Sequence, residues 1–148
     1  MSNAPRLTFI NLPVRDLPRS IAFFTKLGFT FDPRFTDETA TCMIVSPDIH
    51  VMLLTHEKFK IFTPKPIADA TKSTEVLLAL SFESRSKVDE MVKKAVSAGG
   101  TTYKKAEDLG FMYSSGYQDL DGHIWEVFWI DMAKFPKKPE PATTASHA

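Results

Sequence analysis

Between Leu7 and Val14 the apolar residues Ile10, Leu12 and Val14 alternate with Asn11 and Pro13. This is the period of a strand with one face on a core. Pro13 lacks an amide donor, which places its strand at a sheet edge or beside a bulge. Asp16 is a helix cap, Pro18 fits the first turn, and Ile21, Phe24 and Leu27 keep helical spacing up to the terminator Gly28. Phe29 to Phe31 reads as a short strand, Asp32-Pro33 as a loop, and Thr39 to Val45 and Ile49 to Thr55 as two strands about the turn Ser46-Pro47-Asp48. From His56 to Thr74 there is no clean period, and the stretch carries Pro64, Pro66 and several Lys. It reads as a linker bearing a short helix. The pattern then restarts. Val76 to Phe82 is a strand, and Ser84 or Ser86 caps a helix to about Ala98 with Val88, Met91, Val92 and Ala95 on one face. Gly99-Gly100 ends that helix, Thr101 to Tyr103 is a short strand, and Phe111 to Gln118 and His123 to Ile130 form a hairpin about Asp119-Leu120-Asp121-Gly122. After Phe135 the chain is Pro-rich and polar and reads as a disordered tail.

The order strand, helix, three strands therefore occurs twice, with Asp16 and Ser84 as equivalent helix starts and Gly28 and Gly100 as equivalent stops. The spacing predicts an α+β fold of two βαβββ modules, residues 1–55 and 75–131, joined by a linker at 56–74 and followed by a tail at 132–148. One module alone would leave a sheet face bare, so the modules pack together or exchange with a partner chain.

Composition narrows the classes. The 148 residues carry 18 Lys+Arg against 18 Asp+Glu, which argues against nucleic acid as the main partner. No run reaches the roughly 18 apolar residues of a membrane helix, and the start MSNAPRLTF lacks the layout of a secretory leader. The single cysteine, Cys42, reads as an inert buried thiol and suits a reducing cytoplasm. The 12 Phe and 6 Met stand out as a surplus.

Two segments carry a family resemblance: FINLPVRDLPRSIAFFTKLGF near the start, and YQDLDGHIWEVFW, with Asp119, Asp121-Gly122 and Glu126, near the end. Across about residues 7–131 the chain resembles the vicinal oxygen chelate superfamily. That group includes glyoxalase I, extradiol dioxygenases, bleomycin and fosfomycin resistance proteins and methylmalonyl-CoA epimerase. The resemblance implies a curved mixed sheet around a cleft, helices on its outer face, and a homodimer. Metal-bearing members draw their ligands, usually His or Glu, from four cleft-facing positions on the first and last strand of each repeat. By the pleat these positions fall on Phe9, Met52, Leu77 and Glu126. Only Glu126 has a ligand side chain suited to the ions of this family.

The resemblance thus implies a glyoxalase/bleomycin-resistance-like protein that binds an apolar or aromatic small molecule in the cleft without a cofactor. The expected lining is Phe9, Asn11, Met52, Tyr113 and Phe128, with Tyr117 and Gln118 beside Tyr113 and a bulge or mobile rim at Ser114-Ser115-Gly116. Glu126 would be the general base or anchor and His50 its acid–base partner. His123 is expected to point to the helix side and support the turn. The alternative is a metal-dependent lyase, isomerase or dioxygenase in which Glu126 is ligand or base and the ion is Zn, Ni, Mn or Fe. A third reading is a scaffold or dimerisation module with no ligand.

Overall fold

The computed structural model describes residue 4 and residues 6–136. The first module consists of β1 (Thr8–Val14), α1 (Leu17–Lys26), β2 (Thr30–Asp32), β3 (Ala40–Ile44) and β4 (Ile49–Thr55), with a 3-10 turn at Pro33–Phe35. A short α2 (His56–Lys60) opens the linker. The second module consists of β5 (Leu77–Ser81), α3 (Arg85–Ser97), β6 (Glu107–Asp108), β7 (Met112–Gln118) and β8 (Ile124–Ile130). The strands form two four-stranded sheets, ordered β1-β4-β3-β2 and β5-β8-β7-β6. In each, the first strand runs parallel to the last and the remaining pairs are antiparallel. This is the expected α+β fold with a repeated βαβββ unit.

The local reasons are those visible in the sequence. Asp16 accepts from the Arg19 amide at 3.1 Å and Pro18 sits in the first turn of α1. Ser84 accepts from Lys87 at 3.2 Å to start α3. Pro13 lies on β1, an edge strand, where its missing donor costs no ladder bond. Gly28 and Gly99 follow α1 and α3 with φ of 101° and 112°, a conformation that suits glycine alone.

Two expectations are corrected. Thr101 to Tyr103 is not a strand; Thr101 makes only an isolated bridge to Gln118, and the edge strand β6 forms later, at Glu107–Asp108. Ser114-Ser115-Gly116 is no bulge, because β7 pairs with β8 in unbroken register from Met112 to Gln118. The expected tail divides at the limit of description. Phe135 packs edge-on against Phe111 with centroids 5.2 Å apart, while residues 137–148 lie outside the described residues.

The core decides how the sheets face. Leu12, Val14, Val51 and Leu53 from the first sheet and Leu78, Tyr117, Trp125 and Val127 from the second join one cluster with Phe23, Phe24, Val88 and Ala95 of the helices. Phe24 of α1 meets Trp125 edge-on at 5.3 Å, and Phe23 lies 6.3 Å from Tyr117. The helix-side faces of both sheets thus share a single interior, and the opposite faces turn away from it. Tyr117 is fully buried there, stacked on Trp125, and its hydroxyl has no hydrogen-bond partner among the described residues. An unmade buried hydroxyl bond costs about 1–3 kcal/mol. Tyr117→Phe is therefore expected to be neutral or to raise stability by about 1 kcal/mol, and a urea midpoint lowered by this substitution would show that the hydroxyl is solvated or bonded after all.

A buried polar knot fastens the modules. In the turn between β7 and β8, Asp119 accepts from Trp125 Nε1 at 2.9 Å, from the Asp121 amide at 2.9 Å and from the His123 amide at 3.0 Å. Asp121 reaches across to the first module, accepting from the Arg15 amide at 2.8 Å and from Ser20 Oγ at 3.4 Å. His123 Nε2 lies 2.8 Å from the Pro13 carbonyl, which is the turn-supporting place expected for it.

Candidate functional site

Register assigns each candidate residue to a face. On the first sheet, His50 lies opposite both Phe9 and Ile44, and Met52 opposite both Asn11 and Cys42. These rows alternate with the core residues Ile10, Val51 and Leu53, so they form the outer face. The face is open at the end where Phe9, Ile44 and His50 lie and closed at the other, where Leu54 and Ala40 are buried and α2 packs on β1 and β4. Phe9 is 46% exposed and stacks flat on His50, with ring centroids 4.9 Å apart. The Nδ1 of His50 is buried with no partner among the described residues. A buried ring nitrogen of this kind calls for a hydrogen-bond partner, which water can supply.

Beside it, Arg34 donates to Asp32 from Nε at 3.1 Å and from Nη2 at 2.7 Å. These bonds, then the Arg34 charge and to a smaller degree that of His50, hold the Asp32 carboxyl below the usual aspartate range. Cys42 lies in the next strand with its thiol pushed up by burial, the opposite of an activated nucleophile.

On the second sheet, Ala79 and Gly116 flank Glu126, and Ser81 and Ser114 flank Phe128. This is its outer face, and Leu77 at its edge is 53% exposed. Gly116 explains how the face is furnished. A Cβ there would stand 2.8 Å from Cζ of Tyr103, so the Tyr103 ring lies directly on the backbone of β7. Burial and the nearby Glu126 charge push the Tyr103 hydroxyl pKa up, which keeps it a hydrogen-bond donor. Lys104 places Nζ 3.4 Å from Ser114 Oγ and 5.8 Å from the Tyr103 ring centre. Glu126, Tyr103, Lys104 and Ser114 thus gather on one half-exposed surface with Phe128.

Tyr103 and Lys104 escaped the sequence reading because they lie in irregular chain. The signal available was a glycine in the middle of a strand, which implies close approach by another group.

Tyr113 requires a correction. It pairs with Trp129 on the helix side and donates to Asp89 of α3 at 2.6 Å, so it does not line the outer face. Arg85 covers the same Trp129 at 4.5 Å. Tyr117, expected beside Tyr113, is in the core. Gln118 stays on the outer row and donates to Thr101 Oγ1 at 3.3 Å.

The two outer faces lie on the sheet sides opposite the core. They come close at one end, where Asn11 and Pro13 of β1 and Ile124 of β8 line one crevice. His50 Nδ1 has no partner among the described residues, Glu126 included.

Residues 6–46 match the family model described as bleomycin resistance protein-like N-terminal. Over those residues the first module is similar to that family, and the fold of the chain is that of solved glyoxalase/bleomycin resistance/dioxygenase proteins. Among solved structures, a hypothetical protein from S. aureus is similar at 26% identity and a TM-score of 0.71, covering 87% of this chain and 95% of its own. A glyoxalase/bleomycin resistance protein/dioxygenase family enzyme from Burkholderia phytofirmans matches at 17% identity and 0.71, over 84% and 98%. A glyoxalase-related enzyme from Fulvimarina pelagi matches at 20% and 0.72, over 85% and 88%. No curated protein matches the sequence.

The metal positions that the resemblance implies can be tested by donor chemistry. Phe9 and Leu77 have no donor atom, Met52 offers a soft thioether, and Glu126 a single carboxylate. A divalent ion of the borderline class takes about three protein donors of imidazole, thiolate or carboxylate type. Among the described residues, no three His, Cys, Asp or Glu side chains converge to hold one. Bringing the two outer faces together from two chains leaves the same four side chains at those positions. The set does not fit the ion.

No helix among the described residues is long and apolar enough to cross a membrane.

Proposed function

We propose that the protein binds an apolar or aromatic small molecule in a cleft formed between two copies of the chain, with no resident metal. The observation that carries this reading is the pair of incomplete half-sites on the outer faces of the two sheets. One half presents Phe9, His50 and Met52; the other presents Glu126, Tyr103 and Phe128. Each leaves large apolar side chains exposed, Phe9 at 46% and Leu77 at 53%, and each is incomplete as a concave pocket. A homodimer that sets the first outer face of one copy against the second outer face of the other supplies apolar walls with few polar groups. That is the usual make-up of a small-molecule site. In it Glu126 is the acceptor, Tyr103 the adjoining donor, and the stacked Phe9–His50 pair a flat wall for a planar ligand. A cytoplasmic setting belongs to the same proposal and rests on Cys42 being a free buried thiol.

The test combines sedimentation with Nile red, a neutral planar dye. The wild type is expected to sediment as a dimer at micromolar concentration and to bind the dye. Phe9→Asp, at an exposed position, should leave the fold intact, dissociate the dimer and weaken dye binding at least tenfold. A monomeric wild type, or dye binding indifferent to Phe9→Asp, contradicts the proposal. Stoichiometric Zn, Ni, Mn or Fe in the purified protein, lost in Glu126→Gln, would overturn its metal-free part.

A further inference from the structure

The linker does more than connect the modules. After α2 it turns back over the seam where β1 meets the start of β8. Its path is fixed at one point by Asp69, whose carboxylate accepts from the Thr71 amide at 2.9 Å and from the Thr71 hydroxyl at 2.6 Å, and which lies 3.7 Å from Arg15. It is fixed again where it crosses Gly122. A Cβ on that glycine would stand 2.9 Å from the Ala70 carbonyl oxygen and 3.0 Å from the Thr71 nitrogen. The strap is thus seated on the interdomain turn as closely as backbone allows.

Beneath it lies a crevice of about 130 Å3. Its roof is Ile67, Ala70 and Val76, one wall is Phe59 of α2, and its floor is Pro13 and Ile124. Asn11 opens into it, and its side chain makes no hydrogen bond to another described residue. Glu75 stands at the same opening. An apolar cavity of about 150 Å3 is large enough to stay dry and admit benzene, so this one has room for one ring and not for two. The lining is mainly apolar, with Ser73, Thr74, Glu75 and His123 beside the Asn11 amide as its polar groups. Those are the features of a site that takes an apolar body and orients it by a few polar groups.

We infer that the crevice under the strap, at the margin where the two outer faces come close, is a second small-molecule site, and that it takes a monocyclic aromatic carrying one hydroxyl or amino substituent. The ring packs among Phe59, Ile67 and Ile124, and the substituent bonds to the Asn11 side-chain amide. Because roof, wall and floor come from the linker, the first module and the second, a bound ring ties the three together.

The probes are phenol and benzene, titrated into the full chain and followed by the amide and methyl resonances of Asn11, Ala70 and Ile124. Phenol is expected to shift these signals saturably at millimolar concentration. Ala70→Leu, which puts a larger side chain into the roof, should weaken phenol at least tenfold while leaving Nile red binding unchanged. Asn11→Ala should weaken phenol about fivefold and leave benzene unaffected, the effect of one hydrogen bond of about 1 kcal/mol. If Ala70→Leu does not fold, Ala68→Leu fills the same roof from the neighbouring residue. Phenol binding that survives a filled roof, or an absence of shifts at these three residues at millimolar phenol, overturns the inference. Loss of Nile red binding with phenol binding intact overturns the dimer cleft instead.

Discussion

Asp119→Ala is expected to lower the free energy of unfolding by about 3–5 kcal/mol, seen as a urea midpoint moved at nearly constant slope. The residue is 6% exposed, and its carboxylate is the common acceptor for the Trp125 indole and for the Asp121 and His123 amides. Truncation strands three donors in a place water does not reach, and the desolvation of each is then unrequited. Asp119→Asn keeps one acceptor oxygen and should lose about half as much. A cycle with Trp125→Phe should show strong non-additivity, since both changes break one bond.

The acid dependence has a defined sign. Burial raises the Asp119 carboxyl pKa, against the lowering effects of the His123 charge and the Trp125 donor. A folded-state pKa above the unfolded value means that the folded protein holds the proton more tightly. The group's contribution is therefore complete below the ordinary value of 3.8 and is lost as the pH rises through the folded-state pKa. Asp119→Asn does not titrate. Its deficit relative to wild type should accordingly shrink as pH rises, and a deficit that grows with pH would show that the donors outweigh burial at this carboxylate.

Gly100→Ala is expected to cost about 2–3 kcal/mol, a fall in melting temperature of roughly 2–4 °C for each kcal/mol in a chain of this size. A Cβ at this position stands 2.6 Å from the Gln118 carbonyl oxygen, 3.0 Å from the Ala95 carbonyl oxygen and 3.1 Å from a carbon of the Phe23 ring. Two of the three neighbours are backbone and the third is core, so none yields without moving α1, α3 or β7. Gly28→Ala is the control. Its φ of 101° is unfavourable for alanine, but nothing lies within 4 Å of the added carbon, so it should cost only about 1 kcal/mol. Equal melting temperatures for the two variants would mean that the close approach at Gly100 is absent in solution.

Much of this architecture was legible in the residues. Ile10, Leu12 and Val14 alternate cleanly because β1 has one buried face, and Asp16 and Ser84 announce their helices because a capping oxygen is a local requirement. That alternation also puts Phe9, Met52 and Glu126 on the sheet faces opposite the core, where the register has them. What failed depends on distant partners. Tyr113 looks like a pocket residue until Asp89 of α3 is seen to take its hydroxyl, and Thr101 to Tyr103 has β composition but no neighbour with which to pair beyond Gln118. The largest gap concerned assembly. Alternation tells which residues share a face of one sheet, but not whether two such faces look at each other. Phe23 and Phe24 join the inner faces through Tyr117 and Trp125, a contact between modules that no local pattern announces.

The division of labour along each strand has an evolutionary consequence. Alternate positions of β1, β4, β5 and β8 face opposite ways, one set filling the core and the other turned out of it. Phe9, Met52 and Leu77 all fall in the second set, outside the core cluster. Exchanging these three for imidazoles or carboxylates disturbs no packed interior. A lineage with this backbone can therefore pass between ion-holding and ion-free forms through a few tolerated surface changes, which makes the reaction a far less durable inheritance than the fold.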